Sequence, residues 1–305
     1  MSAYRSRVIT PPEEEEVYPY HPVWIPLALQ VGILLIVTVL IYAAFKVVGV
    51  TLPRPIQQLV DLALVALPPA LWLLLSVWRE NFVQQPRVRL VTVAVVSALV
   101  ANAISVPFID GVFQVERWLP LGSAINRIIG YTFTVGVTQE IMKYLVIRYT
   151  VWPDGFRVRI DGVAYGIASA IGYATVLNIR FFLDSSATPD IVAIQVFSNL
   201  AVNLAASIVV GYGLAEVRFD RPMPLLLTFT IAFAALVTGL VTPLRSALSS
   251  AGFSIEAAGS LLALLRPLFG LGLAGGALLL VAVIMGLLFA NAERRALEAA
   301  AGEDR

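Results

Sequence analysis

Ionisable and amide side chains lie inside long apolar stretches near the middle of the chain. Glu140 and Lys143 lie in one stretch, Asp161 and Asn178 in the next, and Asn203 in the one after that. A charged group in hydrocarbon is costly unless it is paired or hydrated, so such residues mark candidate functional sites. Buried carboxylate, ammonium and amide groups can carry acid–base chemistry. These five residues are therefore the candidate catalytic residues.

The composition indicates that these groups lie in a membrane. Of 305 residues, 59% are hydrophobic and 13% are charged, whereas about 25% are charged in a typical soluble protein. Long uncharged runs recur, and each can cross a hydrocarbon core of about 30 Å as a helix. The sequence therefore predicts an all-α, polytopic membrane protein with about eight transmembrane helices. The near-zero net charge predicts no nucleic-acid partner, and the absence of Cys excludes thiolate chemistry.

Hydropathy divides the chain into a polar tail over residues 1–22, a helical membrane domain over 23–291 and a short charged tail over 292–305. The predicted spans cover residues 23–48, 55–78, 88–109, 124–150, 161–183, 191–219, 223–244 and 264–291. Residues 110–121 are too short to cross, and we expect an interfacial segment anchored by Trp118. Pro68 and Pro69 predict a kink in the second span.

Orientation follows from the distribution of Lys and Arg. A cytoplasmic N-terminus places thirteen of these residues on the inner side and seven on the outer side, with Lys143 inside a span. Because positive residues concentrate in cytoplasmic connections, both termini are predicted to be cytoplasmic.

Three of the predicted spans carry small or polar residues at helical spacing on one face. These are Thr132, Gly136, Glu140 and Lys143 on the fourth span, Gly162, Gly166 and Ala170 on the fifth, and Asn203, Ser207, Gly211 and Ala215 on the sixth. Small residues at this spacing let helix backbones approach closely in lipid. We therefore expect the polar faces to converge between tightly packed helices, with Glu140 and Lys143 paired as i,i+3 neighbours.

Depth along the helices predicts the neighbours of Glu140. Glu140 lies about 24 Å from the outer end of its span at helical rise, whereas Asn178 lies deep in a span that starts at the inner side. The two residues are thus expected toward opposite leaflets, and Glu140 is expected near Tyr165 and Asp161.

Four segments in this region resemble the motifs of one family. Gln139-Glu140-Ile-Met-Lys143 resembles E-E-x-x-K, and Asp161 to Asn178 follows D-x-x-x-Y-G-x-x-x-G-x-G-F-A-x-x-E-N in unbroken register. The run N-L-A-A-S-I-V-V-G-Y, which starts at Asn203, resembles a His motif ending in Gly-Tyr, and Thr238-Gly239 resembles H-G. The chain is thus similar to the PrsW-type intramembrane proteases, relatives of the CAAX-processing membrane endopeptidases, with a PrsW-like core over about residues 124–244.

The chain departs from this family at the positions that would transfer protons. Gln139 and Leu177 replace two family Glu residues, and Asn203 and Thr238 replace two His residues. Peptide hydrolysis needs a general base and a general acid, but one Glu remains here, with Lys143 close enough to neutralise it. A catalytic zinc needs about three protein ligands, and His21, the sole His, precedes the first span. We therefore predict no metal and no cofactor.

Each candidate residue also has a structural interpretation. Glu140 and Lys143 would form a buried ion pair that fixes helix register, and Asp161 would cap the N-terminus of a helix. Asn178 and Asn203 would supply hydrogen bonds between helices. Outside the site, Asp61 is expected to reach interfacial water or an Arg.

The leading hypothesis is a PrsW-like membrane protein with a degenerate, non-proteolytic centre, which binds a membrane helix or forms a structural subunit of a membrane assembly. Its expected partners are membrane lipids and single-span membrane proteins or a larger membrane complex. One alternative is an active intramembrane glutamic-type protease that cleaves single-span regulatory proteins, as the resemblance implies. Another is a proton- or lipid-handling carrier. The resemblance implies the plasma membrane of a bacterium as the location.

Overall fold

The computed structural model describes residues 23–83, 86–118, 123–219, 225–250 and 261–303. Within these residues it consists of helices and their connections, without strands. The predicted polar tail over residues 1–22 lies outside the described residues, as do the side chains of residues 292–305. The cytoplasmic location of both termini stays a prediction.

Nine helices make up the described part of the chain. They are α1 (Trp24–Val47), α2 (Arg54–Glu80), α3 (Leu90–Phe113), α4 (Val115–Trp118), α5 (residues 124–150), α6 (Arg159–Asp184), α7 (Pro189–Phe219), α8 (Leu226–Ser250) and α9 (Leu261–Glu303). By length and composition, all except α4 and α5 can cross a membrane, which makes seven such helices among the described residues. The prediction of an all-α polytopic membrane protein is therefore confirmed.

Helix α5 occupies the predicted fourth span but differs from the other spans in composition. It joins Ala124–Tyr131, a π-helical turn at Thr132–Gly136 and Val137–Thr150 into one continuous helix. Its length suffices to cross a bilayer core, but its four Lys, Arg and Glu residues lower its hydropathy. It packs inside the bundle, against α3, α6, α7 and α8. That α5 crosses the membrane as an eighth span stays a prediction.

One boundary prediction is corrected by the structure. Helix α3 continues to Phe113 through π-helical turns at Ala101–Ser105 and Ile109–Phe113, so it includes residues that were assigned to an interfacial segment. The local sequence did not signal this extension, because charged and polar residues are compatible with a helix that leaves the membrane. Helix α9 continues to Glu303, so most of the predicted charged tail is helical.

Helices α6 and α7 form the centre of the bundle and are connected by the short segment 185–188. In the most apolar 18-residue stretch of each helix, 78% is buried inside the protein in α7, compared with 56% in α6 and 28% in α1, α2 and α8. Helices α2, α3 and α5 pack on α6, and α1, α8 and α9 pack on α7. The candidate residues on α6 and α7 are therefore in the most enclosed part of the molecule.

The close contact between α6 and α7 depends on the small residues that the sequence singled out. A Cβ atom at Gly162 would collide with the backbone carbonyl of Gly211, and one at Gly211 would collide with the carbonyl of Gly162. One turn further along α6, Gly166 lies in the same way against the carbonyl of Ser207. The two predicted stripes thus pack directly on each other, and backbone-to-backbone contact of this kind holds helices together where lipid provides no hydrophobic driving force.

Candidate functional site

The N-terminal half of α5 fixes the position of Glu140. Gly136 lies against the backbone of Ala235 on α8, and Thr132 lies against Gly239, so the small face of α5 packs on α8 as predicted. The π-helical turn ends at Gly136, one turn before Glu140. Such turns shift the residues that face a neighbour and are frequent at functional sites. Packing on α8 brings the Glu140 carboxylate within 3.4 Å of the Thr238 hydroxyl, which donates to Glu140 Oε1.

Glu140, Lys143 and Asn203 meet between α5 and α7. We call Glu140 and Lys143 the central pair, and Asn203 is the amide that bonds it. Lys143 Nζ lies 2.7 Å from Glu140 Oε1 and donates to Asn203 Oδ1 at 3.1 Å. The side chains of Glu140 and Lys143 are both 0% exposed. Lys143 Nζ also lies 5.4 Å from the centre of the Tyr173 ring on α6. The predicted pair and the predicted convergence of polar faces are both present.

Amide side chains on α7 extend this network toward Asn178. Asn203 Nδ2 donates to the Asn199 backbone oxygen at 2.9 Å, and Asn199 Nδ2 donates to Asn178 Oδ1 at 3.0 Å. Gln195, one turn further along α7, donates to Asn199 Oδ1 at 3.2 Å. Glu140 and Asn178 do not hydrogen-bond to each other, but a chain of side chains connects them.

Asp161 lies in a different cluster from Glu140, so the prediction that these residues are neighbours is wrong. Asp161 Oδ1 accepts from Arg87 Nε at 2.6 Å, and Oδ2 accepts from the backbone N–H groups of Arg157 and Val158. Arg87 also binds Glu80 at 2.5 Å. We call Glu80, Arg87 and Asp161 the Arg87 cluster. Asp161 is the third residue of α6 and caps its N-terminus from that position, in agreement with the structural interpretation.

Depth in the bundle explains this error. Glu140 lies ten residues before Thr150, the end of α5 that adjoins α6, which is about 15 Å at helical rise. Asp161 lies at the start of α6, so the two residues are at different depths. Lys143 accordingly lies beside Tyr173, further along α6. Tyr165, the other predicted neighbour, donates to the Val88 carbonyl at 2.9 Å instead.

The electrostatics of the Arg87 cluster favour its charged form. Burial lowers the pKa of Arg87, but the carboxylates of Asp161 and Glu80 and their hydrogen bonds raise it by more, so the pKa lies above its ordinary value. The guanidinium thus stays charged between two carboxylates. It joins the connection between α2 and α3 to the first turn of α6.

The donor atoms at the central pair do not fit a catalytic metal ion. Glu140 is its sole carboxylate, and Oε1 of that carboxylate is already engaged by Lys143 and Thr238. Asn203 Oδ1 accepts from the same ammonium group, which occupies the place between the oxygens that a cation would need. Among the described residues, no group of three His, Cys, Asp or Glu side chains could hold a metal ion.

The sequence analysis missed three residues of these networks. Asn199 links Asn178 to Asn203, and it could have been found because Gln195, Asn199 and Asn203 follow at four-residue spacing. Glu80 and Arg87 fall in the predicted connection between the second and third spans, residues 79–87. Nothing in the local sequence indicates that Arg87 binds Asp161, which lies 74 positions away.

Comparisons with known proteins agree with the resemblance seen in the motifs. A model of the PrsW family, described as intramembrane metalloproteases, matches residues 85–242, which is about half of the chain. Protease PrsW of Bacillus subtilis (strain 168) is 24% identical over 118 residues, or 38% of this chain and 53% of that protein. The match thus spans about half the length of the curated relative. No solved structure matches the chain.

The metal named in the family description finds no fitting set of ligands among the described residues of this chain. The family model nevertheless spans all four motif segments, from Gln139 to Gly239. Since the family model covers residues 85–242, which include α3 and α5 to α7 in full, this integral membrane protein belongs to the PrsW family.

Proposed function

We propose that this protein is a non-proteolytic member of the PrsW family in a bacterial plasma membrane, where it binds a membrane helix or forms a structural subunit of a membrane assembly. The observation that supports the proposal is the pairing of Glu140 with Lys143 at 2.7 Å, both fully buried. A general base must accept a proton from water. Lys143 occupies Glu140 Oε1, so that oxygen cannot accept a proton from water while the pair is intact.

The surroundings of Glu140 support the same proposal. The neighbouring position carries Gln139, which cannot exchange a proton, and Asn203 and Thr238 stand where the resemblance expects His. Asn203 and Thr238 instead donate or accept hydrogen bonds that hold the pair in place. The network is thus equipped to fix the relative positions of α5, α7 and α8.

A scaffold of this kind could still bind a transmembrane segment. The curated relative is a protease by name, and a protease must hold its substrate polypeptide. A family member that keeps the helices and loses proton transfer would retain binding without cleavage. Single-span membrane proteins are therefore the proposed partners.

Reconstitution with a single-span, membrane-anchored reporter tests this proposal. The wild type, Glu140→Gln and the matched control Asp184→Asn would be incorporated in vesicles at equal amounts, and cleavage would be measured by the release of the reporter. We expect no release above protein-free vesicles from any of the three. Photo-crosslinkers along α5 and α8 should capture the reporter in all three proteins. Release that is lost in Glu140→Gln and kept in Asp184→Asn would contradict the proposal.

One observation favours the protease alternative. Glu140 Oε2 is buried and has no hydrogen-bond partner, so one oxygen of this carboxylate is available to a water molecule. In that case Asp161 or a bound water would have to supply the missing partner, and Asp161 is held by Arg87. The release assay described above decides between these functions.

The carrier alternative requires a polar path across the bilayer that includes Glu140. The hydrogen-bonded network runs from Glu140 to Gln195 on α7. On its other side, Glu140 contacts the Thr238 hydroxyl on α8. A vesicle pH-jump assay tests this alternative, which predicts proton flux that Glu140→Gln abolishes.

A further inference from the structure

A cleft of about 910 Å³ lies where the start of α2 meets the segment that connects α6 and α7. Its volume is within the range of small-molecule sites. It is far along the chain from the central pair, and neither Glu140 nor Lys143 lines it. Gln57 Nε2 donates to the Ala187 carbonyl at 3.0 Å and ties the two walls together. The cleft is thus a built feature at one end of the bundle.

Asp61 is the buried acidic group of this cleft. The residue is 4% exposed and lines the cleft, and its Oδ1 atom has no hydrogen-bond partner. The sequence predicted that Asp61 reaches an Arg or interfacial water, but no protein group bonds this oxygen. A buried carboxylate oxygen without a partner is costly. A ligand that donates a hydrogen bond and carries positive charge would remove that cost.

Arg54 supplies the opposite charge in the same cleft. It is exposed and lines the cleft two helical turns before Asp61, on the same face of α2. The structure shows no hydrogen bond or ion pair for Arg54 among the described residues. Its guanidinium group is therefore available to bind an anion such as phosphate.

The nearby ion pair does not satisfy Asp61. Lys46, at the end of α1, lies 3.3 Å from Asp190 Oδ2 at the start of α7. Lys46 is thus paired with Asp190, whereas Asp61 is the carboxylate that lines the cleft.

The rim of the cleft is apolar and faces outward. Leu59 is 66% exposed and Leu183 is 71% exposed, and both line the cleft. These residues lie at helix ends, where the polar headgroups of a bilayer adjoin its hydrocarbon. A ligand with an ammonium group, a phosphate and acyl chains would match the acid, the Arg and this rim respectively.

We propose that this cleft binds the headgroup of phosphatidylethanolamine, with the ammonium group on Asp61 and the phosphate on Arg54. A primary ammonium group donates three hydrogen bonds, as Lys does, whereas the trimethylammonium group of phosphatidylcholine donates none. A divalent cation fits less well, because Arg54 faces the same space and Lys46 already serves the second carboxylate. The site thus selects lipids whose amine group can donate hydrogen bonds.

Lipid retention by the full-length protein tests the proposal. The protein in detergent would receive equimolar phosphatidylethanolamine, phosphatidylcholine and phosphatidylglycerol, and bound lipid would be counted by native mass spectrometry. We expect the wild type to retain phosphatidylethanolamine about tenfold over phosphatidylcholine, as for one charged hydrogen bond. Asp61→Asn should lose this selectivity, and the nearby Asp184→Asn should keep it. Arg54→Gln should retain less of all three lipids, and Arg54→Lys should restore retention.

Four results would overturn the proposal. The first two are equal retention of phosphatidylethanolamine and phosphatidylcholine by the wild type, and unchanged selectivity in Asp61→Asn. The other two are lipid retention that requires added calcium, and displacement of the bound lipid by soluble phosphoethanolamine at the same concentration as the lipid. The calcium result would indicate a cation site, and the last result would show that the acyl chains contribute nothing. If Asp61→Asn does not fold, the wild-type selectivity and the exposed Arg54 variants decide.

Discussion

The Arg87 cluster and the central pair are both buried and charged, but they differ in how completely their carboxylate oxygens are bonded. Each oxygen of Asp161 and of Glu80 accepts a hydrogen bond, from the Arg87 side chain or from backbone N–H groups. Glu140, by contrast, engages one oxygen with Lys143 and Thr238 and leaves Oε2 without a partner.

This difference indicates which cluster stabilises the fold and which one keeps a free carboxylate oxygen. A cluster whose carboxylate oxygens are all bonded repays much of the cost of burying its charges, and removing one member leaves the others uncompensated. The Arg87 cluster joins elements that are distant in the chain, and it leaves neither carboxylate with an unbonded oxygen. The central pair leaves Glu140 Oε2 without a partner, so a proton transfer at this site would involve that oxygen.

The largest effect is expected from Arg87→Met. The change leaves Glu80 and Asp161 buried without their cation, so the free energy of unfolding should fall by about 5 kcal/mol. Equilibrium unfolding of the purified protein in mixed micelles measures this value. Arg89→Met is the matched control, because Arg89 is exposed and bonds the Thr150 carbonyl at one helix end. A loss below that of the control would show that the Arg87 cluster does not hold the fold.

Lys143→Met should cost less, about 3 kcal/mol, because a single carboxylate remains and it can become neutral by taking a proton. The double variant Glu140→Gln, Lys143→Met should recover most of this loss, since a neutral amide and an apolar chain replace the pair. A double-mutant cycle on the unfolding free energy measures the coupling. Additive losses would mean that the two residues do not act as a pair.

Gly211→Ala tests the contact that brings both clusters into position. The added Cβ meets the Gly162 backbone, which cannot move aside like a flexible side chain. Overpacking of this kind should reduce the unfolding free energy by about 2 kcal/mol. Gly276→Ala is the control, because nothing lies near its Cβ position, and the change should be within about 0.5 kcal/mol of zero. Equal effects at the two positions would contradict the close packing of α6 on α7.

Asn199→Leu should have a smaller effect than these three changes, about 1 kcal/mol, which is typical of a hydrogen bond between membrane helices. It breaks the link from Asn178 to the central pair. Thermal unfolding measures the loss, and Gln195→Leu, which removes an outer member of the same network, should cost less. A larger effect at Gln195 would reverse the order of importance along α7.

The sequence predicted some contacts of the site correctly and others wrongly, and particular residues show why. Glu140 and Lys143 are three residues apart on one helix, so their pairing follows from helical geometry alone. The match between the Gly162 and Gly211 stripes also followed from spacing, because small residues in membrane helices have few other uses. Asp161 was placed beside Glu140 because depth was counted from the outer end of the span, whereas Glu140 lies ten residues before Thr150 and Asp161 lies at the start of α6.

By itself the sequence determined the membrane-spanning helices, the small-residue faces and the local ion pair, because each depends on residues within a few turns of one helix. The tertiary structure alone decided that Asp161 binds Arg87, that Asn199 bridges α6 and α7, and that Asp61 faces a cleft with Arg54. Such pairings depend on the depth and rotation of helices that are distant in the chain. Those two quantities are set by the packing of the whole bundle and leave no local trace in the sequence.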